Sequence, residues 1–212
     1  MRKNLTIFCI VALGLFWVGV AFAANDNAYF KIDADLATKG YQETQPKISG
    51  IAATKQIGFA IYSQGWDNAK GFTVAFEWDS TKADFRKPPS DTQIQDNEMS
   101  VNGATITPPA ETNILGATLI SAGEVNSAGK YSISWAQQGG AASTTAVGLV
   151  YFAVFRTTST FKTTDQLSIK ASVTVADETG AERFLGYRYF NVNQVAVKDA
   201  TWGDVKNQFK NF

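Results

Sequence analysis

From Ala24 to Phe212 the chain carries neither a cysteine nor a histidine. No disulfide can staple that stretch. The commonest zinc and copper ligands, the usual neutral-pH base and every thiol nucleophile are also missing. Such a chain must be held by an ordinary hydrophobic core, and a single domain of this size has enough residues to build one. Its chemistry must come from carboxylates, hydroxyls and surface contacts.

The residues ahead of Ala24 read as a secretory signal. Arg2 and Lys3 supply the charged start, Leu5 to Val20 the apolar run, and Ala21-Phe22-Ala23 the small-residue site that a signal peptidase needs. The alternative is an uncleaved anchor, because the run approaches bilayer-spanning length. Against it stand Gly14 and Gly19, which interrupt the run, and the A-x-A triplet. The one cysteine, Cys9, lies inside the apolar run without the small residues that precede a lipidated cysteine. The expected organisation is a signal at 1–23, a domain at 24–197 and a tail at 198–212. The mature protein is expected to be secreted, at the cell surface or in the periplasm. With Arg2 and Lys3 removed, 17 basic residues face 19 acidic ones, a net charge of −2. That balance argues against nucleic acid as a partner.

Short runs of alternating polarity, separated by Gly, Asn, Ser and Pro, predict an all-β domain. Tyr29 to Asp35 and Ile57 to Ser63 alternate. In Gly71 to Asp79, Phe72, Val74, Phe76 and Trp78 share one face, while Thr73, Ala75 and Glu77 share the other. Further strands are expected at Ile114 to Ser121, Lys130 to Ala136, Gly148 to Thr157, Gln166 to Ala176 and Arg183 to Val195. The stretch from Arg86 to Pro109 is irregular, with Pro88-Pro89 and Pro108-Pro109, though Met99, Val101 and Ile106 allow a short strand. Eight or nine strands with turn signals between them fit a two-sheet sandwich. In the tail, Trp202, Val205, Phe209 and Phe212 recur at three- and four-residue spacing and predict a short amphipathic helix. It either packs on the domain or serves as a docking tag.

The segment Lys70-Gly71-Phe72-Thr73-Val74-Ala75-Phe76-Glu77-Trp78-Asp79, followed by Ser80, Thr81 and Phe85, resembles the cohesin pattern of a core strand that opens on glycine and an aromatic and closes on aromatic-Asp. Gly148 to Arg156 is similar to the family's glycine-led strand ending in Phe-Lys/Arg. Leu167 to Glu182 resembles its approach to the last strand through an acidic, glycine-containing turn. Together these matches span about Tyr29 to Val195. The resemblance implies a cohesin-like jelly-roll sandwich, shared with carbohydrate-binding modules. The role it implies is non-catalytic: gripping a dockerin-like protein module or holding a polysaccharide.

Catalysis by paired carboxylates is the enzymatic route left open, with Asp79, Asp84, Asp177, Glu178 and Glu182 available. All fall in expected turns or strand ends, where carboxylates are usually just solvated, so no enzyme is expected. Calcium suits oxygen-only ligands, and Asp33 with Asp35, Asp91 with Asp96, or Asp177 with Glu178 could contribute. None forms a D-x-D-x-D-G loop, and no cofactor is expected.

Three places are candidates for contact with a partner. Trp66, among Gly, Asp and Asn, is either a ring exposed for sugar stacking or a plug for its loop. Val150, Phe152 and Val154 lie in a strand apolar on both faces, which is either covered by other chain or forms an exposed patch. Trp202 and Phe209 belong to the tail. The function expected is a secreted binding module for protein or carbohydrate; the alternative is a self-assembling structural subunit that uses strand 149–155 or the tail.

Overall fold

The computed structural model describes residues 25–38, 40–42, 46–86, 99–106, 113–116 and 119–194. The segment 1–23 expected to be a signal, Pro88-Pro89, Asp91, Asp96, Pro108-Pro109 and the tail with Trp202 and Phe209 lie outside these residues. The described part is all β, as expected, with two sheets packed face to face.

The smaller sheet contains β1 (Tyr29–Asp33), β3 (Gln56–Gln64), β11 (Gly148–Thr157) and β5 (Ala83–Arg86), in the order β1-β3-β11-β5. The larger runs β2-β13-β12-β4-β9-β8, from β2 (Lys47–Ile48) through β13 (Glu182–Val192), β12 (Leu167–Asp177), β4 (Trp66–Glu77) and β9 (Lys130–Gln137) to β8 (Leu119–Ser127). A short β10 (Ala142–Thr144) pairs with the first part of β4. A separate hairpin joins β6 (Met99–Val101) to β7 (Ala104–Ile106).

Between the sheets lies the main core. It takes Phe72, Val74 and Phe76 from β4, Tyr131 and Ile133 from β9, the odd-numbered residues Leu167 to Val175 of β12, and Phe30, Ile32, Ile57, Phe59 and Ile61 from the smaller sheet. Phe59, Phe76, Phe85, Tyr131 and Phe155 form one aromatic network at its centre, with ring centroids 4.0 to 6.3 Å apart. Trp78 completes the face expected of its strand, packing against this core while its indole N–H donates to the Ala83 carbonyl at 2.7 Å.

The chain passes from the smaller sheet to the larger at Gly65, in a one-residue corner. This residue has φ +74°, and a β-carbon there would lie 2.5 Å from the Asn27 carbonyl oxygen, so only glycine fits. The corner throws Trp66 inward.

A second apolar cluster occupies the outer face of the smaller sheet: Leu36, Ala60, Tyr62, Val101, Leu149, Phe152 and Val154, with Tyr41 packed against it. The β6–β7 hairpin contributes the Val101 side chain to this cluster. Its two-residue turn, Asn102-Gly103 with φ of 55° and 80°, is the type I′ geometry that Asn-Gly favours. The Asn102 side chain then binds the sheet. Its Oδ1 accepts the Gly58 N–H at 2.8 Å, and its Nδ2 donates to the carbonyls of Gly58 at 2.8 Å and Ala34 at 3.2 Å. Gly58 leaves room for this: a β-carbon there would lie 2.7 Å from the Ala153 oxygen and 3.0 Å from Val101 Cγ1.

Candidate interaction face

Among the described residues, none covers the outer face of the larger sheet. Its side chains follow from strand register, because residues directly opposite one another share a face. Across β13-β12-β4-β9-β8, one row reads Tyr187, Ser172, Ala75, Ser132, Val125, and the next reads Phe184, Thr174, Thr73, Ser134, Gly123. A third reads Glu182, Ala176, Gly71, Ala136, Ile120. The centre is thus a floor of small side chains. Large ones stand at both margins, and those margins hold most of the large exposed apolar residues: Ile120 and Val125 on β8, and Phe184, Tyr187 and Tyr189 on β13, all between 48 and 60 % exposed.

The floor is shaped by its small residues. Where Gly71, Ala136 and Ala176 meet, a shallow depression of about 370 Å³ opens, closed at one end by Lys70, Asp177 and Glu182. The Thr73 and Ser134 hydroxyls hydrogen-bond to each other across the floor at 2.8 Å.

Electrostatics mark the β13 margin. Lys170 reaches Glu77 at 3.0 Å and lies 4.3 Å from the centroid of the Tyr187 ring. The hydrogen bond to Lys170 holds the Glu77 carboxyl below its usual range, and the same bond raises the lysine. Phe184 meets Tyr187 edge to face at 5.0 Å. The result is a fixed aromatic strip with one cation held against it.

The residues singled out from sequence stand elsewhere. Trp66 is 2 % exposed, packs against Phe72 at 5.8 Å and donates its indole N–H to Ser63 Oγ at 2.7 Å, which in turn donates to the Tyr29 carbonyl. It plugs its corner and offers no ring face to a sugar. Phe152 and Val154 are buried with Leu36, Tyr41 and the hairpin's Val101, so the strand is covered rather than an exposed patch. Val150 does not share their face: the register shifts between Leu149 and Tyr151, and this bulge turns Val150 into the main core.

Of the acidic candidates, Asp33, Asp35, Asp79 and Asp177 serve their own loops. Asp33 is fully buried and accepts the N–H groups of Asp35 and Gln42. Asp177 accepts from Thr179 N, Thr179 Oγ1 and Ala181 N, and Asp79 from Thr81 N and Oγ1. The threonine hydroxyls in particular hold both carboxyls below the ordinary aspartate value of 3.8. Among the described residues no three acidic side chains gather into a metal-holding group, and no helix is long and apolar enough to cross a membrane.

Sequence reading missed the β13 aromatics, yet a signal was present. Phe184 and Leu185 precede Gly186, and Tyr187, Tyr189 and Phe190 follow it, so large residues occupy both parities of one strand. A glycine amid such a run marks a bulge. The register shift opposite Ser172–Thr174 puts Phe184, Tyr187 and Tyr189 on one face, and Phe190 and Val192 on the other.

Fold and face together define a two-sheet β-sandwich in which, among the described residues, one outer face is covered and the other open. No protein-family model matches the sequence, and no curated protein does. Among solved structures the chain is similar to cohesin modules. One is the sixth cohesin of scaffoldin B from Acetivibrio cellulolyticus, solved with a Cel5 dockerin, at 11 % identity and TM-score 0.47, covering 79 % of this chain and 99 % of that one. Another is the cohesin module of a Clostridium perfringens family 33 glycoside hydrolase, at 9 % identity and TM-score 0.47, covering 78 % and 94 %. A non-cellulosomal cohesin from Archaeoglobus fulgidus matches at 11 % identity and TM-score 0.40, covering 81 % and 95 %.

Proposed function

We propose that this chain is a non-catalytic binding module, working outside the cytoplasm, that docks a protein partner on the outer face of its larger sheet. The observation that carries the reading is the composition of that face. A floor of Ala, Ser, Thr and Gly lets another backbone approach closely, and exposed large side chains at both margins supply apolar area to bury. The leader at 1–23 supports the location, and the absence of histidine and of any cysteine beyond Cys9 supports a role without chemistry. The cohesin-like segments in the sequence make a dockerin-like module the first partner to try.

The test is calorimetric titration of the protein with a panel of dockerin modules, using wild type and Ala75→Arg. An arginine at the centre of the floor is expected to weaken binding about 100-fold, about 2.7 kcal/mol, by holding the partner off the sheet. Equal affinity of the two proteins would remove the face from the account.

A second reading rests on the aromatic strip alone. Phe184, Tyr187 and Tyr189 project from one strand and present rings suited to stacking on sugars. Retention on insoluble polysaccharide that Tyr187→Ala and Tyr189→Ala abolish would favour a glycan over a protein.

A further inference from the structure

We infer that β8 is a pairing edge, and that a second copy of this chain adds its own β8 there, antiparallel, so that two larger sheets become one. The four sheet margins differ in how they meet solvent. β2 is two residues long, β5 four and β1 five, whereas β8 runs nine residues and has no strand on its outer side among the described residues. Proteins blunt such edges with short strands, lysine or proline. Leu119–Ser127 contains no Lys, Arg or Pro, and every residue from Ile120 to Ser127 is exposed.

The strand has two features that resist casual pairing, and they set the register. The first is a bulge at Ala122, where the ladder to β9 shifts between Ser121 and Gly123, so the regular part available to a partner is Gly123–Ser127. The second is Glu124, whose side chain lies on the inward side opposite Ile133. Two copies of Gly123–Ser127 paired antiparallel about Val125 place Val125 against Val125, and Glu124 against Asn126. No carboxylate then meets its own copy. The Asn126 amide instead stands where it can donate to the partner's Glu124, a charge-assisted contact; moving the centre of pairing from Val125 to Glu124, a slide of two residues, would put glutamate opposite glutamate.

On the outward side the row Tyr187, Ser172, Ala75, Ser132, Val125 continues into the partner as Val125, Ser132, Ala75, Ser172, Tyr187. The two open faces become coplanar, and the assembly is bivalent. Pairing does not depend on what the faces bind.

Sedimentation velocity of the purified chain over roughly a hundredfold range of concentration should show a monomer–dimer equilibrium. In the same range, amide exchange across 123–127 should slow as dimer forms. Val125→Lys adds the charge that natural edges use, at a side chain 60 % exposed, and is expected to leave the protein monomeric with the melting temperature of wild type diluted to monomer. Val125→Thr keeps a branched side chain and should still dimerise. A protein monomeric throughout would overturn the inference. So would a dimer that Val125→Lys leaves intact, or one lost on Tyr187→Lys while the amides of 123–127 exchange freely. Ala75→Arg separates the two readings, because it should block a docked partner and leave self-association untouched.

Discussion

The two outer faces of this sandwich received opposite treatment. On the smaller sheet, Leu36, Tyr41 and the β6–β7 hairpin cover Phe152 and Val154, and Asn102 fastens the hairpin through two hydrogen bonds to Gly58 of β3 and one to Ala34. On the larger sheet nothing among the described residues lies over Ala75, Ser132 and Ser172, and the exposed large residues stand at its margins. The contrast separates two uses of apolar surface. Where it was needed for stability, chain was spent to cover it; where small residues make a floor, the surface was left for something else.

Substitution on the two faces should therefore give opposite results, and the largest expected effect is on the covered side. Phe152→Ala should cost about 3–5 kcal/mol in chemical denaturation, because it leaves a cavity under the hairpin. A cost below about 1 kcal/mol would mean that the cover is not part of the folded core. Asn102→Ala should cost about 1–3 kcal/mol, since the Gly58 N–H and carbonyl lose their partner beneath the turn. Amide exchange at Gly58 should accelerate in that variant, and unchanged exchange would show that the clamp is not holding. On the open side, Tyr187→Ala should shift stability by no more than about 0.5 kcal/mol while weakening partner binding. A large loss of stability there would erase the distinction between the faces.

The smallest effect concerns pH. Asp79 and Asp177 are held below 3.8 in the folded protein, so they favour folding above that value and lose the contribution as pH falls through their lowered values. With no histidine in the sequence, no side chain of ordinary pKa titrates between about pH 5 and 8. Stability should be flat there and decline below about pH 4. Asp177→Asn should make the acid decline shallower, and a steep change near neutrality would contradict this picture.

The legibility of the sequence followed the same divide. Phe72, Val74 and Phe76, and the run Leu167 to Val175, were readable because one buried face imposes a period of two. β8 was not: with neither face buried it carries no alternation, and the strand expected at 114–121 lies at 119–127. Bulges defeated parity at Val150 and at Gly186, since one extra residue sends everything beyond it to the other face. Trp66 stayed open between a surface ring and a loop plug for a different reason. Composition around a residue describes where the backbone turns, whereas the fate of the side chain depended on the corner at Gly65 and on a hydroxyl from Ser63. Asn102-Gly103 was the missed local signal, a strong hairpin dipeptide inside a stretch that read as irregular.

In the proposed function the open face docks the partner and the covered face contributes stability alone. Titration of dockerin modules against wild type and Ala75→Arg, with unfolding curves recorded on the same samples, tests it most directly. Binding by the wild type, a loss of about 100-fold in the variant and superimposable unfolding curves are expected. Undiminished binding by Ala75→Arg, or no binding by the wild type to any module of the panel, would contradict the proposed function.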